Sequence, residues 1–260
     1  MSARRLMALA LALAATAARA QTMLDQEERL IELHALLAGL PPVQAPGAYA
    51  WGQASLGLEL VTIPTIDGQT GGKEQITASD RTRAFPRLRL AAGLPAPDGF
   101  RAFAGLAYIP PVELERVSSH LGAIEAGIAW TPGPLAVGLR GHALLARSRS
   151  PVTDPATRDT LDSSELGADL AAGWSLDLGW GQLTPYLGAG LARVHGRFTV
   201  SSDGHVLTRT ATDPALSAGV RLLATRHVEG VVELVAYPDR LVHPAFRLAW
   251  VPGAPRAEGQ

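Results

Sequence analysis

The 260-residue chain contains no cysteine, which excludes disulfide stapling, thiolate catalysis, Cys-type zinc sites and a lipid anchor carried on an N-terminal cysteine. Lysine is almost missing as well. Lys73 is the single example, the other basic residues being arginine, a bias that reads as base composition rather than function. No block of like charge occurs, the formal net charge is -1 and the pI is near 6.7. A nucleic-acid partner would need a basic stripe, so none is expected. Beyond residue 20 no apolar run approaches the roughly 20 residues that a membrane-spanning helix requires. The seven histidines are scattered without ligand spacing, so neither a metal site nor any other cofactor is expected.

What is present begins with an export signal over 1–20. Arg4 and Arg5 form a basic start, Leu6 to Ala18 is a thirteen-residue apolar run, and Ala18-Arg19-Ala20 is a small-x-small cleavage pattern before Gln21. Residues 21–47 read as a short periplasmic helix and linker. Thr22 and Asp25 fit a capping pattern, Glu27 and Glu28 suit a helix N-terminus, Leu30, Leu33 and Leu37 share a face, and Gly39 with Pro41-Pro42 stops the helix. A sharper reading makes this segment a plug against the barrel mouth or a partner.

From residue 48 to 251 the chain alternates with period two in segments of strand length, joined in turn by a long polar link and a tight turn. Ten strands follow: around Leu56–Leu60, Leu88–Ala92, Phe100–Ile109, Ile124–Trp130, Leu135–Leu145, Leu166–Trp174, Thr184–Leu191, Leu216–Leu222, Val232–Ala236 and His243–Trp250. Tight turns near Pro97, Gly133, Gly181 and Val228 fall on one side. Longer links at 64–82, 110–119, 148–163 and 199–212, and a short one near Pro238-Asp239-Arg240, fall on the other. Even strand number, closure and this asymmetry describe an all-β, antiparallel up-and-down transmembrane barrel, with the short turns periplasmic and a tail over 252–260.

One face of each strand is apolar. The other carries Glu59, Glu125, Glu165, Asp169 and Glu233 against Arg87, Arg89, Arg101, Arg140, Arg221 and Arg247, with His142 beside Arg140. That face is also rich in glycine: Gly57, Gly105, Gly127, Gly167, Gly173, Gly188, Gly190 and Gly219. A narrow lumen needs small residues to seat long neighbours, whereas a solvent face does not. This favours a polar lumen over the apolar interior of a lipocalin-like barrel or a sandwich. Charges in such a tube are expected to pair across strands, Arg87, Arg89, Arg101 and Arg140 with Glu59, Glu125 and Asp169, and to close it. A polar channel is the alternative. Trp51, Trp130, Trp174, Trp180 and Trp250 fall at strand ends on the short-turn side, as an interfacial girdle requires, while Tyr108, Phe198 and Tyr237 mark the outer rim.

Pro185-Tyr186-x-Gly188-x-Gly190 in a late strand and the final Phe246-Arg247-Leu248-Ala249-Trp250 resemble the small opacity-protein-like outer-membrane β-barrels of Gram-negative bacteria. The resemblance spans about residues 48–251. It implies residence in the bacterial outer membrane, contact with its lipid, and recognition of the last strand by barrel-assembly machinery. Ten strands rather than eight, and the tail after Trp250, depart from that class. The expected role is structural or surface interaction by a monomer, with a small-solute or hydrophobic-compound channel second and an enzyme of omptin or lipase type third. Asp203, His205, Asp213, His120 and Asp239 near the outer rim, and Ser118-Ser119-His120, are the residues such an enzyme would use, but no local motif ties them together.

Overall fold

The computed structural model describes residue 39 and residues 41–62, 84–114, 117–150, 156–225, 227–238 and 241–252. The strands are β1 (Ala54–Thr62), β2 (Ala84–Leu94), β3 (Phe100–Leu114), β4 (Val117–Trp130), β5 (Leu135–Ser150), β6 (Asp159–Trp174), the two-residue β7 (Leu176–Asp177), β8 (Gly181–Thr199), β9 (Val206–Ala224), β10 (Val228–Tyr237) and β11 (Leu241–Trp250). Each long strand pairs antiparallel with its neighbour in sequence. The sheet closes where β1 meets β11, Leu56 opposite Trp250 and Glu59 opposite Arg247. Across the β7 hairpin, β6 pairs directly with β8. The result is a closed barrel of ten long strands, without a free edge.

Exposure decides which face is which. Leu187 is 68% exposed and Leu145 71%, whereas Glu59, Arg89, Glu229 and Glu233 are 0% exposed. Leucines outside and charges inside invert the rule for soluble barrels and fit an exterior solvated by hydrocarbon. On β5 the outward apolar series Leu135 to Leu145 climbs ten residue steps, which at about 3.3 Å each and a tilt of about 40° spans about 25 Å, the height of a lipid-facing band. All five tryptophans are exposed and lie at the end that carries the short turns.

The far end continues beyond that band. The expected long link 110–119 is mostly strand: β3 runs on to Leu114 and β4 starts at Val117. Ile109 pairs with Leu121 but Val112 with Ser119, two intervening residues against one, so Pro110-Pro111 sits in a bulge rather than ending the strand. Likewise Arg193 to Thr199 and Val206 to Ala215, assigned in part to a loop over 199–212, are paired strand. Up there the polarity reverses. Ala107, Ile109, Leu121, Ala123 and Leu144 pack inside, as do Ala192, Val194, Val235 and Tyr237, while Arg147, Arg149, Arg193, His195 and Arg197 point out. Tyr237 therefore belongs to the interior, at 4% exposure, and not to the lipid interface. Tyr108 does face outward and meets the His120 ring edge-on at 5.7 Å.

Candidate functional site: a filled lumen

Most of the charged side chains named from the sequence converge at mid-barrel. Strand parity puts them there, since alternate residues of every strand must face the axis. Arg87 bonds Glu59, and Arg89 reaches Glu59 at 3.2 Å. Arg89 also grips Glu125 over the intervening strand β3, where Gly105 leaves the room: a Cβ there would lie 2.7 Å from Glu125 Oε1. Arg140 bonds Glu125 at 2.9 Å and Asp169 at 2.7 Å. His142 contacts Asp169 at 3.4 Å and Glu165 at 2.6 Å. The alternation of opposite charges thus runs Arg87, Glu59, Arg89, Glu125, Arg140, Asp169, with His142 continuing the polar chain to Glu165, across β1, β2, β4, β5 and β6. Gly167 makes His142 possible, because a Cβ on it would sit 2.4 Å from the imidazole.

A second cluster lies nearer the short-turn end. Glu229 accepts from Arg221 at 2.7 Å and from the Tyr49 hydroxyl at 2.8 Å, and Arg247 stands 3.6 Å away. The Arg247 guanidinium lies over the Tyr49 ring, 5.9 Å from its centroid. Glu229 was missed because the sequence reading ended the turn at Gly230. Extending the Glu233 parity by four residues would have found it.

Glu233 differs from the rest. Its carboxylate accepts from the Tyr186 hydroxyl at 2.6 Å and from the Val43 amide at 3.1 Å, and among the described residues it forms no ion pair. Tyr186 is seated by Gly219, where a Cβ would come within 2.4 Å of the ring.

Val43 belongs to the feature the sequence did not reveal. Before β1 the chain turns back into the barrel, so that Pro41–Tyr49 forms a strap along the lumen. Val43, Ala45 and Tyr49 are almost completely buried there. Prolines 41, 42 and 46 have no N–H, so the strap presents chiefly carbonyls, which must find donors when buried. The wall arginines supply them. Gly39 O accepts from Arg87 at 3.0 Å, and Pro41 O from Arg89 at 3.1 Å and Arg140 at 3.3 Å. Gly47 O accepts from Arg101 at 2.9 Å. Val43 O and Ala48 O receive longer bonds, 3.5 Å each, from Arg247 and Arg221. Val43 is held at φ 38°, a conformation that a β-branched residue rarely adopts, with its amide fixed on Glu233.

Arg101 consequently joins no carboxylate among the described residues, unlike the pairing expected for it; it clamps the strap at the mouth. The described part of the 21–47 segment, residue 39 and residues 41–47, lies within the barrel, while the expected helix falls outside the described residues. Between Pro41-Pro42 and the wall formed by His142, Glu165, Asp169 and Tyr237 remains a cavity of about 10 Å³, room for about one water. Among the described residues no group of three or more His, Asp or Glu could hold a metal.

The outer-rim residues do not come together. Asp213 is buried in the wall, His120 faces outward on Tyr108, and Asp203 caps its own turn by accepting from the His205 amide at 2.8 Å. Asp239 lies outside the described residues.

No protein-family model matches the chain, and no curated protein does. Among solved structures the chain is similar to the translocator domain of the autotransporter NalP from Neisseria meningitidis, at 12% identity and a TM-score of 0.40, covering 91% of this chain and 96% of that one. It is also similar to the beta domain of the Bordetella autotransporter BrkA, at 14% identity and 0.39, covering 76% and 97%. LpxR from Salmonella typhimurium gives 10% and 0.31, covering 76% and 99%. Likeness at this level transfers no activity.

Proposed function

We infer that the mature chain is a monomeric barrel of the bacterial outer membrane that keeps its lumen shut and serves a structural or surface-interaction role through its outer end, without catalysis. The exposed leucine belt and the tryptophan girdle support the membrane setting. The observation that carries the closed state is the strap: a buried peptide lies along the axis, bonded to both halves of the wall, and an ion-pair chain crosses the same level. Of the rim residues that an omptin-like or lipase-like enzyme would need, those described lie in separate settings: Asp213 in the wall, His120 against Tyr108, and Asp203 with His205 in a turn. Kinship with the opacity-like class, and handling of the last strand by the assembly machinery, belong to the same reading.

The test is a planar-bilayer recording on refolded protein. A closed barrel gives no steady conductance; continuous current from the wild type would replace this reading by a channel. One observation favours that second reading in a gated form: the strap is held by hydrogen bonds and side-chain packing, without strand pairing, and is not part of the wall.

A further inference from the structure

The outward side chains just above the leucine belt change character abruptly on three adjacent strands. On β5, Leu145 is followed by Arg147 and Arg149. On β8, Leu191 is followed by Arg193, His195 and Arg197, all exposed. On β6 between them, Leu166 gives way to Ser164 and Asp162. The register places these side by side: Arg147 opposite Asp162, Asp162 opposite Arg197, Ser164 opposite His195, and Leu166 opposite Arg193. Arg193 and Arg197 are about 13 Å apart along one strand, and Arg147 and Arg197 flank β6 at about 10 Å.

Within this patch one carboxylate faces out, and it is taken: Asp162 Oδ1 accepts from Arg147 Nε at 2.5 Å. Arg149, Arg193 and Arg197 form no ion pair among the described residues. Uncompensated guanidinium groups clustered on a strand face are unusual where the same barrel pairs its interior arginines so thoroughly. On β8 the outward change from Leu191 to Arg193 falls beside the inward change from Gly190 to Ala192 and Val194.

We propose that Arg149, Arg193 and Arg197, with His195 between the last two, form a binding surface for the phosphate groups of acylated glycolipid in the outer leaflet. Guanidinium groups match phosphate oxygens with paired N–H donors, and the leucines directly below would lie along the acyl chains of the same molecule. Thr208, Thr210 and Thr212, exposed on β9 beside β8, add hydroxyl groups for the sugar. This inference rests on the outer-membrane reading above and names the lipid that the barrel holds.

The test uses the full mature chain refolded in detergent. Its unheated gel mobility is checked first, so that failure to fold as a barrel is seen before any lipid is added. Micelles then carry a doubly phosphorylated, acylated glucosamine disaccharide or the same lipid after enzymatic removal of its phosphates. Lipid retained on the purified protein is measured by mass spectrometry, and unfolding by loss of the fast-migrating form. The phosphorylated lipid should be retained at least tenfold better and should raise the unfolding midpoint. The triple variant Arg149→Gln/Arg193→Gln/Arg197→Gln should lose both effects, and the triple lysine variant should keep most of the retention. Should the triple glutamine variant fail to fold, Arg193→Gln/Arg197→Gln replaces it with the same expectation. Equal retention of the two lipids, or full retention by the folded glutamine variant, overturns the proposal. So does a soluble sulfated polysaccharide that binds the patch while the phosphorylated lipid does not.

Discussion

Arg89 holds Glu125 by two parallel N–H···O bonds, Nε to Oε1 at 2.7 Å and Nη2 to Oε2 at 2.5 Å, bridging β2 and β4 over the glycine of β3. Neither residue is exposed, so the pair cannot exchange its bonds for water. Removing one partner strands the other charge. Glu125→Ala, which abandons both Arg89 and Arg140, is expected to destabilise the barrel by about 3–5 kcal/mol. Arg101→Ala, at the wetter mouth, should cost less than about 1.5 kcal/mol, the worth of one ordinary hydrogen bond. Unfolding midpoints followed by the heat-dependent gel shift check the order; equal effects would mean that the mid-barrel chain carries no special weight.

The glycine facing Tyr186 gives a steric test. Gly219→Ala drives a methyl against the ring and should destabilise by about 1–3 kcal/mol, as overpacking does. In a Tyr186→Ala background the same change should cost much less, leaving a coupling energy of at least about 1 kcal/mol in the double-mutant cycle. Additive effects would place the ring elsewhere.

Deleting residues 21–47 takes out the strap, except Ala48 and Tyr49, with its lead-in. The ion-pair chain remains, but the wall arginines lose their carbonyl partners, and the axis opens. Single-channel recordings should change from silent to conducting, with lower thermal stability. Silence in the deletion variant would mean that side chains alone seal the tube.

β11 forms the seam, pairing with β1 on one side and β10 on the other. Removing Phe246–Trp250 should abolish membrane insertion. Val251 is buried and its amide bonds His227 O at 2.8 Å, so the dispensable tail begins after it. Truncation at residue 252 should preserve the folded band, and its loss would show that the tail takes part in assembly.

Parity made much of this legible before any coordinates. Glu59, Arg89, Glu125, Arg140 and Glu233 faced the axis because leucines on alternate positions had to face lipid, and the turns at Gly133 and Gly179 separated strands cleanly. Strand ends were not legible at the far side. There Arg193, His195 and Arg197 replace leucines outside while Ala192 and Val194 occupy the inside, so the apolar face that announces a strand switches sides at mid-strand. The strap left no periodic trace at all. Its three prolines and irregular backbone read as a linker, and the alternative of a plug rested on the helix expected ahead of it rather than on these residues.

The strap's donors come from β2, β3, β5, β9 and β11, and an acceptor from β10, which is to say from both ends of the polypeptide. A peptide bonded to all of these strands has its full set of partners only when the sheet is closed. The segment that precedes the first strand therefore works as a mandrel, favouring the rolled sheet over an open one. By gathering residues about 200 positions apart, it lowers the chain entropy that the closing β1–β11 contact would otherwise have to overcome alone. Its contribution then falls on the closed barrel as a whole rather than on any one strand.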